Sequence, residues 1–140
     1  MDNRNYAWPV TSVDKSDYVT FYEWFDANEN MLRQSRIIIW GAGIRGTEFA
    51  IFFRRKNIHN IVFVDSNKQK WGGYIDEFPI ISPEEIKGQR NDANVKIVIS
   101  TENSEKIEEM LKEEGYCAGQ DFFVIKTFLY EKYLKEFQRK

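Results

Sequence analysis

Residues 36–67, RIIIWGAGIRGTEFAIFFRRKNIHNIVFVDSN, decide the fold. An apolar run, Ile37 to Trp40, leads into Gly41, Gly43 and Gly46. A helical stretch follows, and a second apolar run, Ile61 to Val64, ends on Asp65. Short continuous apolar runs rich in β-branched residues are strands buried on both faces. Between them, Phe49, Ala50, Phe52 and Phe53 mark the inner side of a helix. Arg54, Arg55 and Lys56 suit its carboxyl end, where the dipole favours cations. Strand, glycine turn, helix and strand make a βαβ unit.

The same alternation continues outward. "FPII" (78–81) is a short third strand after a loop-like 66–78. "SPEEI" (82–86) is a helix start, with Ser82 as cap, Pro83 in the first turn and Glu85 completing a capping box. Val95 to Ile99 is another buried strand. Ser104 opens a helix that Gly115 is placed to end, and "DFFVI" (121–125) is the last strand. Tyr18 to Leu32 carries apolar residues at helical spacing, with Ser16 or Asp17 as cap, and 127–138 repeats the pattern.

Right-handed crossovers then leave few topologies. The expected fold is α/β: a Rossmann-like doubly wound parallel sheet of about five strands, order 3-2-1-4-5, with an added N-terminal helix. The chain reads as a single domain over 1–140. Residues 1–15 form a loosely held leader, 16–34 a packing helix and 36–140 the α/β core.

Gly41, Gly43 and Gly46 have the spacing G-x-G-x-x-G, directly after a strand and at the opening of a helix. That context gives the spacing its meaning. Gly41 allows the tight turn, Gly43 lets phosphates approach the backbone, and Gly46 lets helix and strand pack closely. The N–H groups near Ala42, Ile44 and Arg45 face an anion with the helix dipole behind them. Strand-to-helix turns also use glycine without any ligand. Asp65, nineteen residues after Gly46, is placed with Ser66 to accept from ribose hydroxyls and to disfavour a 2′-phosphate. Its other use is to start the "DSN" turn by bonding to local backbone. Ser100 and Thr101 end the fourth strand and should face the glycine turn across the crevice where strand order reverses. Thr101 and Asn103 have helix capping as their alternative.

"IIIWGAGIRGTEFA" followed by "VFVDSNKQKWGGYIDEFPIISPEEI" resembles the small Rossmann-like domains of surface-polysaccharide biosynthesis. These precede the β-helix of PglD-type sugar acyltransferases and accompany FkbM-type methyltransferases. The shared features are Asp65, Asn67, Lys70 and Gly72, then "EFPII" and "SPEEI"; Glu77 stands where the pattern has glycine. The resemblance covers residues 36–87. It implies a domain that holds a nucleotide sugar while chemistry occurs partly elsewhere. Relatives often carry Gly-His after the second glycine, where this chain has Ile44 and Arg45, so no catalytic histidine carries over. Lys70 either neutralises a phosphate or is a solvated loop residue. Trp71 either stacks on a base or covers the sheet edge.

Composition narrows the function classes. Hydrophobic residues make up 42% of 140, enough for one core, and a net charge of −2 gives no electrostatic reason to expect a nucleic-acid partner, though it leaves room for local basic patches. One cysteine, Cys117, allows neither an internal disulfide nor a multi-cysteine zinc site. No run approaches the ~20 apolar residues of a membrane span, so membrane insertion is not expected and the location reads as cytoplasmic. His59 and Cys117 both fall in loops opposite the expected cleft, and no metal-ligand spacing is present.

The leading reading is a binding module for a nucleotide or nucleotide sugar in cell-surface glycan biosynthesis, not catalytically self-sufficient. Its ligand is NAD or a nucleotide sugar such as a UDP-sugar. Its partners would be a glycan-biosynthesis enzyme or a second copy; the aromatic-rich ends (Trp8 to Phe25 and Phe128 to Phe137) either form such a homodimer face or cover the sheet of the domain itself. The alternative is a small NAD-dependent oxidoreductase or sugar-modifying subunit that completes its site in an oligomer. A third is a domain that binds only proteins.

Overall fold

The computed structural model describes residues 16–87, 94–101 and 103–125, with side chains from residue 24 onward. The chain divides into two compact units. One comprises Asn28–Val124; the other comprises Met1–Ala27 with Ile125–Lys140. The leader, the helix expected over 127–138 and most of the terminal aromatics lie outside the described residues. Among them, no helix is long and apolar enough to cross a membrane.

The first described element is helix α1 (Ser16–Arg33). It is followed by β1 (Arg36–Trp40), α2 (Ile44–Arg55), β2 (Ile61–Val64), β3 (Tyr74–Ile75), β4 (Phe78–Ile81), β5 (Val95–Ile99), α3 (Glu105–Glu113) and β6 (Phe122–Val124). The sheet has six strands in the order β3-β4-β2-β1-β5-β6. All neighbours are parallel except β3, a two-residue strand running antiparallel to β4. Without β3, the order is the expected 3-2-1-4-5. The sixth strand is a return of the 66–78 loop, too short to carry a periodic pattern in sequence.

Trp40 and Val64 are register partners at the carboxyl ends of β1 and β2, as are Trp40 and Ile99 on the other side. Alternation along parallel strands sends successive residues to opposite faces. Ile38, Trp40, Val62, Val64, Ile97 and Ile99 share one core with Leu111 and Tyr116, which brings α3 to that face. Ile37, Ile39 and Phe63 point to the other and are fully buried. The chain steps from β1 to β2 in one direction and from β5 to β6 in the other. Right-handed crossovers therefore put α2 and α3 on opposite faces, and α2 contributes Phe49, Ala50 and Phe53 to the buried set.

Both helices that flank the sheet end in the same way. Asn57 has φ 63, and Ile58 and Asn57 donate their N–H groups to Phe53 O and Arg54 O at 2.9 Å each. Gly115, at φ 97, is matched by Tyr116 N–H to Leu111 O and Gly115 N–H to Lys112 O. These are Schellman closures, which satisfy carbonyls that the helix leaves open.

The helix start expected at "SPEEI" is present, as a 3-10 turn rather than an α-helix. "SPEEI" forms a single 3-10 turn over Pro83–Ile86, and Lys87 is already extended at ψ 133. The capping residues initiate a turn, with Glu85 accepting from Ser82 N–H at 3.5 Å. The helix after β5 starts later than Thr101 or Asn103 would cap it: Ser104 is the N-cap, and its hydroxyl donates to Glu108 Oε2 at 2.7 Å.

Candidate functional site

The carboxyl ends of β1, β2 and β5 meet at one edge of the sheet. The turn after β1 begins with Gly41, whose N–H donates to Val64 O at 2.7 Å and so extends the ladder by one residue. Gly41 has φ 118, a backbone region that L side chains rarely enter. A Cβ there would stand 2.5 Å from Ser100 Oγ and 2.8 Å from Thr101 Cγ2. The turn and the end of β5 therefore face one another, as expected, and they touch.

Gly46 is needed for a different reason. A Cβ on it would lie 2.0 Å from Gly41 O, so the first turn of α2 packs bare backbone onto the turn that precedes it. Gly43 is unlike both. Its φ is −105, open to any residue, and a Cβ there would meet nothing within 4 Å. Neither backbone strain nor packing inside the protein explains glycine at this exposed position.

Helix α2 starts at Ile44 with Gly43 as N-cap. A glycine cap offers no side-chain oxygen, and the first turn contains no acid. The opening N–H groups have no intrahelical acceptors, and the positive end of the dipole is not offset from within the helix. Ile44 is 74% exposed at this mouth. The Arg45 guanidinium reaches Ser100 O at 3.5 Å, bringing a cation to the crevice rather than to open solvent.

Ser100 is buried and supports the turn. Its hydroxyl lies 3.0 Å from Trp40 O and 3.2 Å from Gly41 O, donating to these carbonyls. Thr101 beside it has a hydroxyl oxygen shielded from solvent and, among the described residues, without a hydrogen-bond partner. A buried hydroxyl left in that state is costly and is normally satisfied by a group or a water.

Asp65 makes the local turn expected of it and a second bond that the sequence did not announce. One carboxylate oxygen, Oδ1, accepts from Asn67 N–H at 2.7 Å and closes the "DSN" turn. The other, Oδ2, accepts from Ala42 N–H at 2.8 Å. The N–H of Ala42, expected to face an anion, is thus directed to Asp65 instead. Lys70 completes a ring. Its ammonium donates to Ala42 O at 3.2 Å and stands 3.9 Å from Asp65 Oδ2. The lysine that either binds a phosphate or is solvated is therefore half-buried against the glycine turn. Trp71 does something sequence reasoning missed: its indole N–H donates to Asp65 O at 2.6 Å. Ser66 is exposed at the outer side of this loop.

His59 and Cys117 lie at the opposite edge, before β2 and β6. The imidazole Nδ1 of His59 is 3.1 Å from Glu77 Oε2, and the Cys117 N–H donates to Asp121 Oδ2 at 2.7 Å. Among the described residues, no group of three or more His, Cys, Asp or Glu side chains is arranged to hold a metal ion.

Residues 33–119, which carry the glycine turn, Asp65 and the Ser100–Thr101 pair, match the model of the family described as C2185-like, N-terminal. The chain belongs to the C2185-like, N-terminal family. No curated protein matches its sequence. Among solved structures, this C2185-like domain is similar to UDP-D-quinovosamine 4-dehydrogenase from Vibrio fischeri. Identity is 20% and the TM-score 0.55, over 73% of this chain and 86% of that one. It is also similar to RSP, a Rex-family repressor, at 18% identity and a TM-score of 0.56, over 86% of this chain and 65% of RSP. RSP in complex with β-NADH aligns at 18% identity and a TM-score of 0.55, over 86% of this chain and 66% of that one. At such identities the likeness is one of fold: the C2185-like domain is a Rossmann-type α/β domain.

Proposed function

We propose that this chain is a Rossmann module that binds a nucleotide through its diphosphate and ribose, in cell-surface glycan biosynthesis. The opening amides of α2 hold the diphosphate over Gly43, and Asp65 accepts from the ribose hydroxyls. The observation that carries this reading is Gly43. It is a glycine that neither conformation nor packing requires, at a helix mouth with no cap side chain and no acid. A ligand pressed against the backbone supplies the missing reason. The unpartnered Thr101 hydroxyl and the Arg45 guanidinium beside the crevice support it further.

The ligand is NAD or a nucleoside-diphosphate sugar, which share the diphosphate–ribose element addressed by this site. The β-NADH complex of one similarly folded protein and the UDP-sugar named for the other support that pair of classes. The glycan setting rests on the resemblance carried by Asp65, Asn67, Lys70 and Gly72 together with "EFPII" and "SPEEI". With His59 and Cys117 at the far edge of the sheet, the module presents its ligand for chemistry performed by a partner. Its net charge of −2 favours no nucleic-acid partner.

Calorimetric titration with NAD, UDP and UDP-sugars tests this. Binding of at least one is expected, and Gly43→Asp should abolish it while the domain stays folded. Absence of binding at millimolar ligand, or full retention by Gly43→Asp, would overturn the proposal.

A further inference from the structure

The geometry points to Trp71 as the plate on which the nucleotide base stacks. This rests on the reading of Asp65 as the ribose-binding acid. Trp71 is one of three large hydrophobic residues exposed among those described, at 37%. Its indole is nevertheless fixed, because Nε1–H donates to the main-chain carbonyl of Asp65 at 2.6 Å. The loop that carries it is held as well. Asn67 Oδ1 accepts from Gln69 N–H at 3.0 Å, Lys70 is tied to Ala42 O, and Gly72 N–H donates to Ile80 O at 2.9 Å.

An exposed aromatic ring anchored by its polar edge, with apolar surface in contact with water, is pre-organised for stacking and loses little rotamer freedom on binding. The anchor is the residue whose carboxylate faces the glycine turn. In a nucleotide the base is bonded to the ribose carbon next to the 2′-hydroxyl. A ribose held by Asp65 therefore carries its base beside the Trp71 loop. Stacking tolerates any base, because every base has a π-face.

The test uses ADP and UDP as probes, with Trp71→Phe and Trp71→Leu variants checked for fold by circular dichroism. Phenylalanine keeps a ring and loses the indole donor; leucine loses both. Trp71→Phe should bind within about threefold of the unaltered protein. Trp71→Leu should bind about 5- to 100-fold more weakly, the range typical of one base–aromatic stack. Nucleotide should quench tryptophan emission in the unaltered protein, and that quench should shrink in Trp71→Phe although binding persists, leaving only the part contributed by Trp40 beside the glycine turn. Equal weakening in both variants would assign Trp71 to loop anchoring alone. Unchanged affinity in Trp71→Leu, or a quench undiminished in Trp71→Phe, would equally overturn the assignment. If the unaltered protein bound neither probe, the nucleotide-binding reading would fall, and this inference with it.

Discussion

Asp65 Oδ2 accepts the N–H of Ala42 at 2.8 Å, across 23 residues of sequence. One bond joins the end of the second strand to the turn after the first. It orients the carboxylate beside the glycine turn before any ligand arrives.

Replacing Asp65 by Ala should both loosen and disable the site. Ala42 N–H and Asn67 N–H would lose their acceptor, and the carboxylate is only 15% exposed. Hydrogen bonds to charged groups contribute about 1.5–3 kcal/mol. A loss of about 2 kcal/mol in urea unfolding is expected, with nucleotide binding abolished in calorimetry. Unchanged stability would show that the bond is not formed in solution.

Gly43 and Gly46 should separate function from folding. Gly46→Ala drives a Cβ to 2.0 Å from Gly41 O and must shift α2, whereas Gly43→Ala meets nothing. Overpacking of this kind costs about 1–3 kcal/mol or more. Thermal unfolding should fall clearly for Gly46→Ala and only slightly for Gly43→Ala, which loses just the preference for glycine over alanine at an N-cap. A reversal of that order would refute the packing account.

Ser100→Ala tests the support beneath the turn. The substitution leaves Trp40 O and Gly41 O without their side-chain donor, at a buried position. A destabilisation of about 1 kcal/mol is expected from one net hydrogen bond, measurable as a lowered urea midpoint with an unchanged slope. Nucleotide affinity should fall as well, because the turn that frames the site loses its floor.

Asn57 caps α2 in a left-handed conformation, φ 63. Asn57→Gly should leave stability within about 1 kcal/mol of the parent, since glycine is the favoured residue at this point of a Schellman closure. Asn57→Val should cost about 1–2 kcal/mol or more, because a β-branched side chain collides with backbone there. Equal stability of the two variants would show that the closure does not hold.

Much of this was readable along the chain because it depends on neighbours in sequence. "RIIIW" and "IVFV" are short apolar runs that only a doubly buried strand accommodates, and their boundaries coincide with β1 and β2 within a residue. Gly115 ends α3 as its type and position require. The capping box of "SPEEI" was legible and forms, but it signals a beginning and says nothing about helix type, which here is 3-10. The strand Tyr74–Ile75 could not be seen either: two residues carry no period, and their pairing with Phe78 and Pro79 comes from the turn between them.

Sequence alone determined the alternation of strands and helices and the location of the glycine turn at the carboxyl edge, and narrowed the order of the parallel strands to a few, because periodicity and crossover handedness are local or chiral rules. Tertiary structure alone decided which glycine the fold can spare, where the Asp65 carboxylate points, and that Lys70 and Trp71 fold back onto it. Those facts depend on which atoms of distant residues come within hydrogen-bonding or van der Waals reach, a distance that no spacing along the chain encodes.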